Sequence, residues 1–354
     1  MSRNQLPPIR AGLVGLNFGR RLIERQVLRG EGGAFLTIAG VTSLDPGETR
    51  QVAQAWGVTG YATTQDMLRE PDLDAIVVFT GPVGRAALVR QCVDAGKHVL
   101  TTKPFDVDAD AAQSVLEHAR RCRIVVHTNS PSPLPSPSIE QILRWRVEHD
   151  LGRAIAARRD SYDSYDEQPD GTWKDDPRHC PAAPIFRLGI YGINDLLRLL
   201  GRAERVQVMA TRVRTARPTP DNAMLTIQFV GGALANLFHS FCIRDGQAHT
   251  TDLRVHFERG SVHKRLERTP DGPLHTLTLY GGNVRHPLIR RVAVDDSAGG
   301  GYGWRAFRDA VRQAAAGDDQ TVLWGAPPTL VGDGLRVIDA MRRSEQSGRI
   351  EPVP

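Results

Sequence analysis

Cysteine is scarce and scattered in this chain. Cys92, Cys122, Cys180 and Cys242 each stand alone, which excludes a disulfide-stapled scaffold and a zinc-ribbon spacing and fits a reducing compartment. No apolar run approaches the ~20 residues that span a bilayer, and the N-terminal stretch lacks the apolar core of a signal peptide, so a cytoplasmic protein without a membrane partner is expected. No basic run is interleaved with exposed aromatics, so the net charge of +5 reads as a surface property and a nucleic-acid partner is not expected. His179 has no second ligand at useful spacing, and no metal is expected.

What is present is the composition of an ordinary globular protein, 40% apolar and 24% charged over 354 residues. That length exceeds what one core of ~250 residues supports, so two domains are the default. The first third alternates short apolar runs with helical segments. The runs are Ile9 to Val14, Leu36 to Thr42, Asp74 to Phe79, Val99 to Thr102 and Ile124 to His127, and Gly84 to Ala95 and Asp108 to Arg121 carry helical periodicity. Continuous apolar strands separated by helices predict a doubly wound parallel sheet, an α/β Rossmann domain over residues 1–128.

The proline-rich Ser130 to Ser138 cannot be helix or central strand and marks a boundary. Ile139 to Glu148 reads as a helix. Beyond it, Arg205 to Arg214, Ala223 to Val230, Ala233 to Phe241 and Leu253 to Glu258 alternate as half-exposed antiparallel strands do. Residues 129–354 are therefore predicted to form an α+β domain with an open, mainly antiparallel sheet. Two helices close the chain, Trp304 to Ala315 and Leu330 to Ser347, and helix 330–347 is a candidate to pack back on the first domain.

The strand ending at Val14 runs into Gly12-Leu-Val-Gly15-Leu16-Asn17-Phe18-Gly19. A dinucleotide site needs a tight turn, a close backbone approach to the pyrophosphate and helix N-terminal amides aimed at it, and this segment is placed to supply them. Its spacing is irregular. Asn17 stands where a second glycine is usual and Gly19 arrives one residue early, although Asn tolerates the left-handed region. At the end of the second strand either Ser43 or Asp45 meets the ribose. An acidic residue there selects NAD and a small polar one leaves room for the 2′-phosphate of NADP, so the cofactor is NADP or NAD, with NADP slightly favoured.

Residues 73–105, LDAIVVFTGPVGRAALVRQCVDAGKHVLTTKPF, resemble the glucose-fructose oxidoreductase, inositol dehydrogenase and MocA family, with Thr102-Lys103-Pro104 in place of its Glu-Lys-Pro. The segment around Trp173, Ile185 to Leu200, and Gly334 to Ser344 resemble further family segments in the same order. The resemblance implies an NAD(P)-dependent oxidoreductase that moves a hydride between nicotinamide and a carbinol or carbonyl carbon of a small polar sugar, cyclitol or sugar acid. It places Thr80, Pro82, Lys103 and Pro104 at the cofactor. Lys103 then polarises the substrate oxygen and Tyr191 transfers the proton, with Trp173, Asn129, Arg187 and Asn194 toward the substrate. Association into a homodimer or homotetramer is implied in the same way.

Two departures qualify this, at Arg187 and Arg85. Arg187 replaces the Asp usual four residues before the proton-transfer residue, and its guanidinium fork suits a carboxylate or phosphate, which points to an anionic group on the substrate. Arg85 stands where a His is common, and Asp195 reads as solvated. A non-enzymatic NAD(P)-binding regulatory protein that kept the fold, and an enzyme cycling a tightly bound NAD internally, are the alternatives.

Overall fold

The computed structural model describes residues 6–294, 302–315 and 325–354. It divides into two compact units. The first comprises residues 1–134 and 300–328, and the second residues 135–299 and 329–354.

In the first unit the strands are β1 (Ile9–Val14), β2 (Leu36–Thr42), β3 (Thr59–Gly60), β4 (Ala75–Val78), β5 (His98–Thr101) and β6 (Val126–Thr128). They form one parallel sheet in the order β3-β2-β1-β4-β5-β6, the doubly wound Rossmann arrangement. All four residues of β4 are buried because helices cover both faces of a parallel sheet. The crossover helices start where side chains can cap them. Asp45 accepts from Gly47 N at 2.7 Å and Asp108 accepts from Ala111 N at 2.9 Å, each satisfying amides the helix itself leaves unpaired.

Residues 302–315, expected in the second domain, belong to this unit. Tyr302, Trp304, Phe307, Ala310 and Val311 join the apolar core around Ile9, Leu13, Ile23 and Leu36, and Trp304 Nε1 donates to Gln26 Oε1 at 3.0 Å. Their helix, Trp304–Ala315, has the bounds its periodicity predicts.

The second unit opens with the helix Pro137–Glu148, which begins two residues before its apolar period because Ser136 caps it and Pro137 is tolerated at the first helical position. Its strands are β7 (Ala154–Asp163), β8 (Ala203–Thr211), β9 (Asn222–Phe229), β10 (Leu234–Ser240), β11 (His249–Phe257), β12 (Gly260–Thr269), β13 (Gly272–Gly281), β14 (Leu288–Ala293) and β15 (Glu351–Pro352). They form one sheet in the order β14-β13-β12-β11-β7-β10-β9-β8-β15, antiparallel at every pairing except β7 with β10. The helix Ile190–Leu200 lies on one face, where Gly189 and Gly192 allow a close approach. A Cβ on Gly192 would stand 2.8 Å from Leu237 on β10 and 2.6 Å from Arg159 on β7.

The C-terminal helix Pro328–Ser347 clusters with the second unit rather than with the Rossmann domain. Ser344 Oγ accepts from Val208 N at 3.1 Å, which ties the helix to β8, and the chain continues into β15 beside it.

Candidate active site

In the Rossmann unit the glycine turn is built for close approach. Gly15 has φ +93°, and a Cβ there would lie 2.8 Å from the Phe79 carbonyl oxygen, so no other residue fits. Gly15 N donates to Thr42 O at 3.0 Å, Leu16 is buried, and Asn17, Phe18 and Gly19 open a helix whose N-terminus has no side-chain cap. Uncapped amides beside an obligatory glycine are what a pyrophosphate requires. The irregular spacing therefore still yields a usable cradle. Phe18 is half exposed and meets Phe79 edge-on at 5.8 Å, and Phe79 in turn meets Tyr302 at 5.0 Å. Tyr302, unanticipated from sequence because it lies 283 positions from Gly19, adds an aromatic wall.

Ser43 and Asp45 are both engaged in one turn. Ser43 Oγ donates to Asp45 O at 3.0 Å and lies 3.1 Å from Thr49 Oγ1, while the Asp45 carboxylate caps the helix Pro46–Trp56. Asp45 thus has a local task that explains it without a ribose.

Arg85, noticed in the sequence only as a departure, ties together the loop and the strand end that the resemblance assigns to the cofactor. Its buried guanidinium donates to Thr102 O at 2.7 Å, Phe105 O at 3.3 Å, Pro104 O and Thr80 O. Burial lowers its pKa to about 10, still far above neutrality, so it remains a cation. Four carbonyls fixed by one planar fork lock the Thr80–Pro82 loop to the Lys103–Pro104 strand end. Lys103 is held again from the other side, where its backbone N donates to Asn129 Oδ1 at 3.1 Å. The Asn129 amide oxygen thus supports Lys103. Thr102 Oγ1 pairs with the Tyr302 hydroxyl at 2.9 Å.

In the second unit Arg187 is paired within the chain. It makes a bidentate ion pair with Glu167, at 2.6 and 2.8 Å, and its guanidinium lies 4.7 Å from the Phe241 ring centroid and 5.6 Å from that of Tyr165. Glu167 also accepts from Arg217, which bonds Asp170 and Asp175 as well. Burial would raise the Glu167 pKa, but the hydrogen bond and charge of Arg187 and the charge of Arg217 outweigh it and lower the value. The fork that suggested an anionic substrate is therefore occupied by this chain's own carboxylate.

Trp173 packs edge-on against Phe186 at 5.9 Å in the segment before the helix. Asn194 is buried beside the C-terminal helix, where a Cβ on Gly334 would stand 2.6 Å from its Oδ1. Asp195 is an ion-pair partner of buried Arg159 at 2.8 Å rather than a solvated residue. His179 lies 3.3 Å from Asp176, and no group of three potential metal ligands occurs among the described residues.

Strand alternation would have placed one more cluster. His239 on β10, Asp163 on β7 and His249 on β11 share the covered face of the sheet, with Asp163 accepting from His239 Nε2 at 3.0 Å and from His249 Nδ1 at 2.9 Å.

A doubly wound sheet with a glycine cradle, a lysine clamped at a strand end and a second unit bearing a tyrosine-containing helix defines the class of dinucleotide-dependent oxidoreductases. Residues 9–130 match the family described as "Oxidoreductase family, NAD-binding Rossmann fold", and residues 139–263 match "GFO/IDH/MocA C-terminal domain". The chain belongs to this Gfo/Idh/MocA family of NAD(P)-dependent oxidoreductases, which acts on sugars and polyols. It is 24% identical to the 1,5-anhydro-D-fructose reductase of Ensifer adhaerens over 79% of this chain and 83% of that one. It is 29% identical to the uncharacterized oxidoreductase YdgJ of Escherichia coli over 96% of each. The fold also matches an inositol dehydrogenase homolog from Azotobacter vinelandii, solved with NAD+, with a TM-score of 0.76 at 19% identity over 99% of both chains.

Proposed function

We propose that the chain transfers a hydride between NADP or NAD and a carbinol or carbonyl carbon of a small sugar or cyclitol, with Lys103 polarising the oxygen and Tyr191 moving the proton. The observation that carries this reading is the double clamp on Lys103, by Arg85 through the carbonyls around it and by Asn129 through its own amide. Such restraint suits a cation that must meet developing charge without rearranging.

Gly15, the amides of Asn17 to Gly19, Thr80, Pro82 and Pro104 are the residues assigned to the cofactor, which supplies or accepts the hydride when bound. Ser43, small and beside an Asp45 already committed to its helix cap, favours NADP over NAD. With the Arg187 fork neutralised by Glu167, an uncharged substrate is preferred over a sugar acid. Trp173 is assigned to the substrate side.

Absorbance of reduced nicotinamide across a panel of sugars, cyclitols and sugar acids tests this. Wild type is expected to turn over neutral sugars or cyclitols, and Lys103→Ala and Tyr191→Phe to lose about 10²-fold or more in kcat. Turnover that survives both substitutions unchanged overturns the assignment.

A further inference from the structure

Within the first unit the glycine turn, the strand end bearing Lys103 and the returning segment 302–315 meet around one side chain, Tyr302. Gly15 and Gly19 both rest on Phe79. A Cβ on Gly15 would stand 2.8 Å from the Phe79 carbonyl oxygen, and one on Gly19 would stand 3.2 Å from the Phe79 Cβ. The Tyr302 ring lies between Phe79, edge-on at 5.0 Å, and Trp304, stacked at 5.6 Å, with Phe18 at 6.5 Å. Trp304 is anchored in turn to Gln26 at 3.0 Å. Gly303 has φ +58°, and a Cβ there would stand 3.0 Å from His127 Nε2, so the chain leaves Tyr302 along a tightly set path. A ring so confined, 4% exposed, directs its hydroxyl to one place.

That place is Thr102, the residue before Lys103. The Tyr302 hydroxyl lies 2.9 Å from Thr102 Oγ1, and Thr102 Oγ1 donates to the Lys103 carbonyl at 3.4 Å. A threonine hydroxyl has one proton, so with that proton on Lys103 the phenol is the donor to Thr102. Burial pushes the phenol pKa up to about 12, and it keeps its proton. Two hydroxyls therefore run in series from Tyr302 to the backbone of Lys103. Arg85 takes the Thr102 and Pro104 carbonyls, Asn129 takes the Lys103 amide, and the Tyr302 series takes the Lys103 carbonyl. Each restraint holds a different backbone group, so removing one shifts the strand end without releasing it. Phenylalanine would fill the same space, and what the hydroxyl adds is its bond to Thr102.

We propose that Tyr302 is a positioning residue for Lys103. Its ring packs on the residue that supports the glycine turn, and its hydroxyl, through Thr102, sets the backbone from which the lysine side chain projects. The proposal rests on the hydride-transfer reading above, in which Lys103 meets developing charge without rearranging. Tyr302 acts through Thr102 and exchanges no proton with the substrate. Its two parts have separate consequences. The ring serves the cofactor side, so losing it weakens dinucleotide binding, whereas the hydroxyl serves the lysine, so losing it slows turnover and leaves binding intact.

Tyr302→Phe deletes the hydroxyl and keeps the ring, and Tyr302→Leu deletes both. With any panel substrate that wild type turns over, Tyr302→Phe is expected to lose about tenfold in kcat, with KM and the NADPH affinity from fluorescence titration within about twofold of wild type. Tyr302→Leu is expected to weaken NADPH binding as well. Thr102→Val is expected to match the loss of Tyr302→Phe, Thr102→Ser to recover most of it, and the double variant Tyr302→Phe/Thr102→Val to be no slower than either single one, because both break the same series. Independently of turnover, hydrogen exchange of the intact protein is expected to be severalfold faster in Tyr302→Phe over a fragment spanning Thr101 to Phe105, with β4 unchanged. Undiminished kcat in Tyr302→Phe overturns the proposal, as does a loss of kcat and NADPH affinity together. Exchange that is unaltered at Thr101 to Phe105, or equally faster in β4, overturns it too. The exchange arm decides even if no panel substrate reacts, an outcome that would sink the hydride-transfer reading instead.

Discussion

Arg187 was legible as a departure and illegible as an interaction. Position 187 precedes Tyr191 by one turn, so its side of the helix was evident. Its partner Glu167 lies 20 residues upstream in a segment without periodicity, and nothing in the sequence marks the pair. The same holds for Arg85 and Tyr302, whose roles come from carbonyls and hydroxyls that only the folded chain assembles. Lys103 and Gly15 were legible because their neighbours in the chain define them. Glu167→Gln is expected to lower stability by roughly 1–3 kcal/mol, since it removes the bidentate carboxylate of the largely buried Arg187, while Arg217 keeps Asp170 and Asp175. Urea unfolding checks this, and the freed Arg187 fork is expected to lower KM for a sugar acid relative to the matching neutral sugar. Gly15→Ala forces a Cβ toward the Phe79 carbonyl at φ +93°, and its affinity for the nicotinamide cofactor, followed by fluorescence titration, is expected to weaken by at least about tenfold.

Elements followed the sequence wherever one physical pattern dominated. The buried parallel strands β1, β2 and β4 read as continuous apolar runs, and the helix Ala109–Arg121 buries Ala112, Val115, Leu116 and Ala119 at helical spacing behind its Asp108 cap. Strands β7 and β12 were harder to read because their covered face carries Arg159, Ser161, Asp163 and Lys264, so the usual alternation of apolar and polar residues is broken. Burial there is sustained by pairing, and Lys264, with its pKa pushed down to about 8 by desolvation, leans on Ser138 at 3.4 Å. The helix Pro46–Trp56 offers a direct test of what Asp45 does. Asp45→Ala is expected to cost about 1 kcal/mol, seen as a lower Tm, and to leave the ratio of NAD to NADP affinity nearly unchanged if the carboxylate is a cap alone.

For the molecule, two domains and their fold classes were legible, whereas the path of the chain between them was not. The division near residue 128 is close to the observed one at 134, but residues 302–315 return to the Rossmann unit through aromatic contacts that no local pattern announces. Stability has a pH signature as well. Burial drives the pKa of His127 and His98 down to about 4 and that of His275 to about 3, against 6.5. The unfolded chain therefore binds more protons than the folded one between pH 6.5 and about 4. Stability is complete above pH 6.5 and is lost as pH falls through that window, by on the order of 3 kcal/mol for His127 alone. Unfolding midpoints are expected to hold between pH 7.5 and 6.5 and to decline from there to pH 4.5.

The return of Tyr302, Trp304 and Phe307 to the first core has a consequence for synthesis. The ribosome completes all six strands of that sheet some 170 residues before the aromatic side chains that seal its core emerge. During that interval the nascent Rossmann unit exposes apolar surface around Ile9, Leu13 and Leu36, so it depends on chaperones or on delay until the last sixth of the chain arrives.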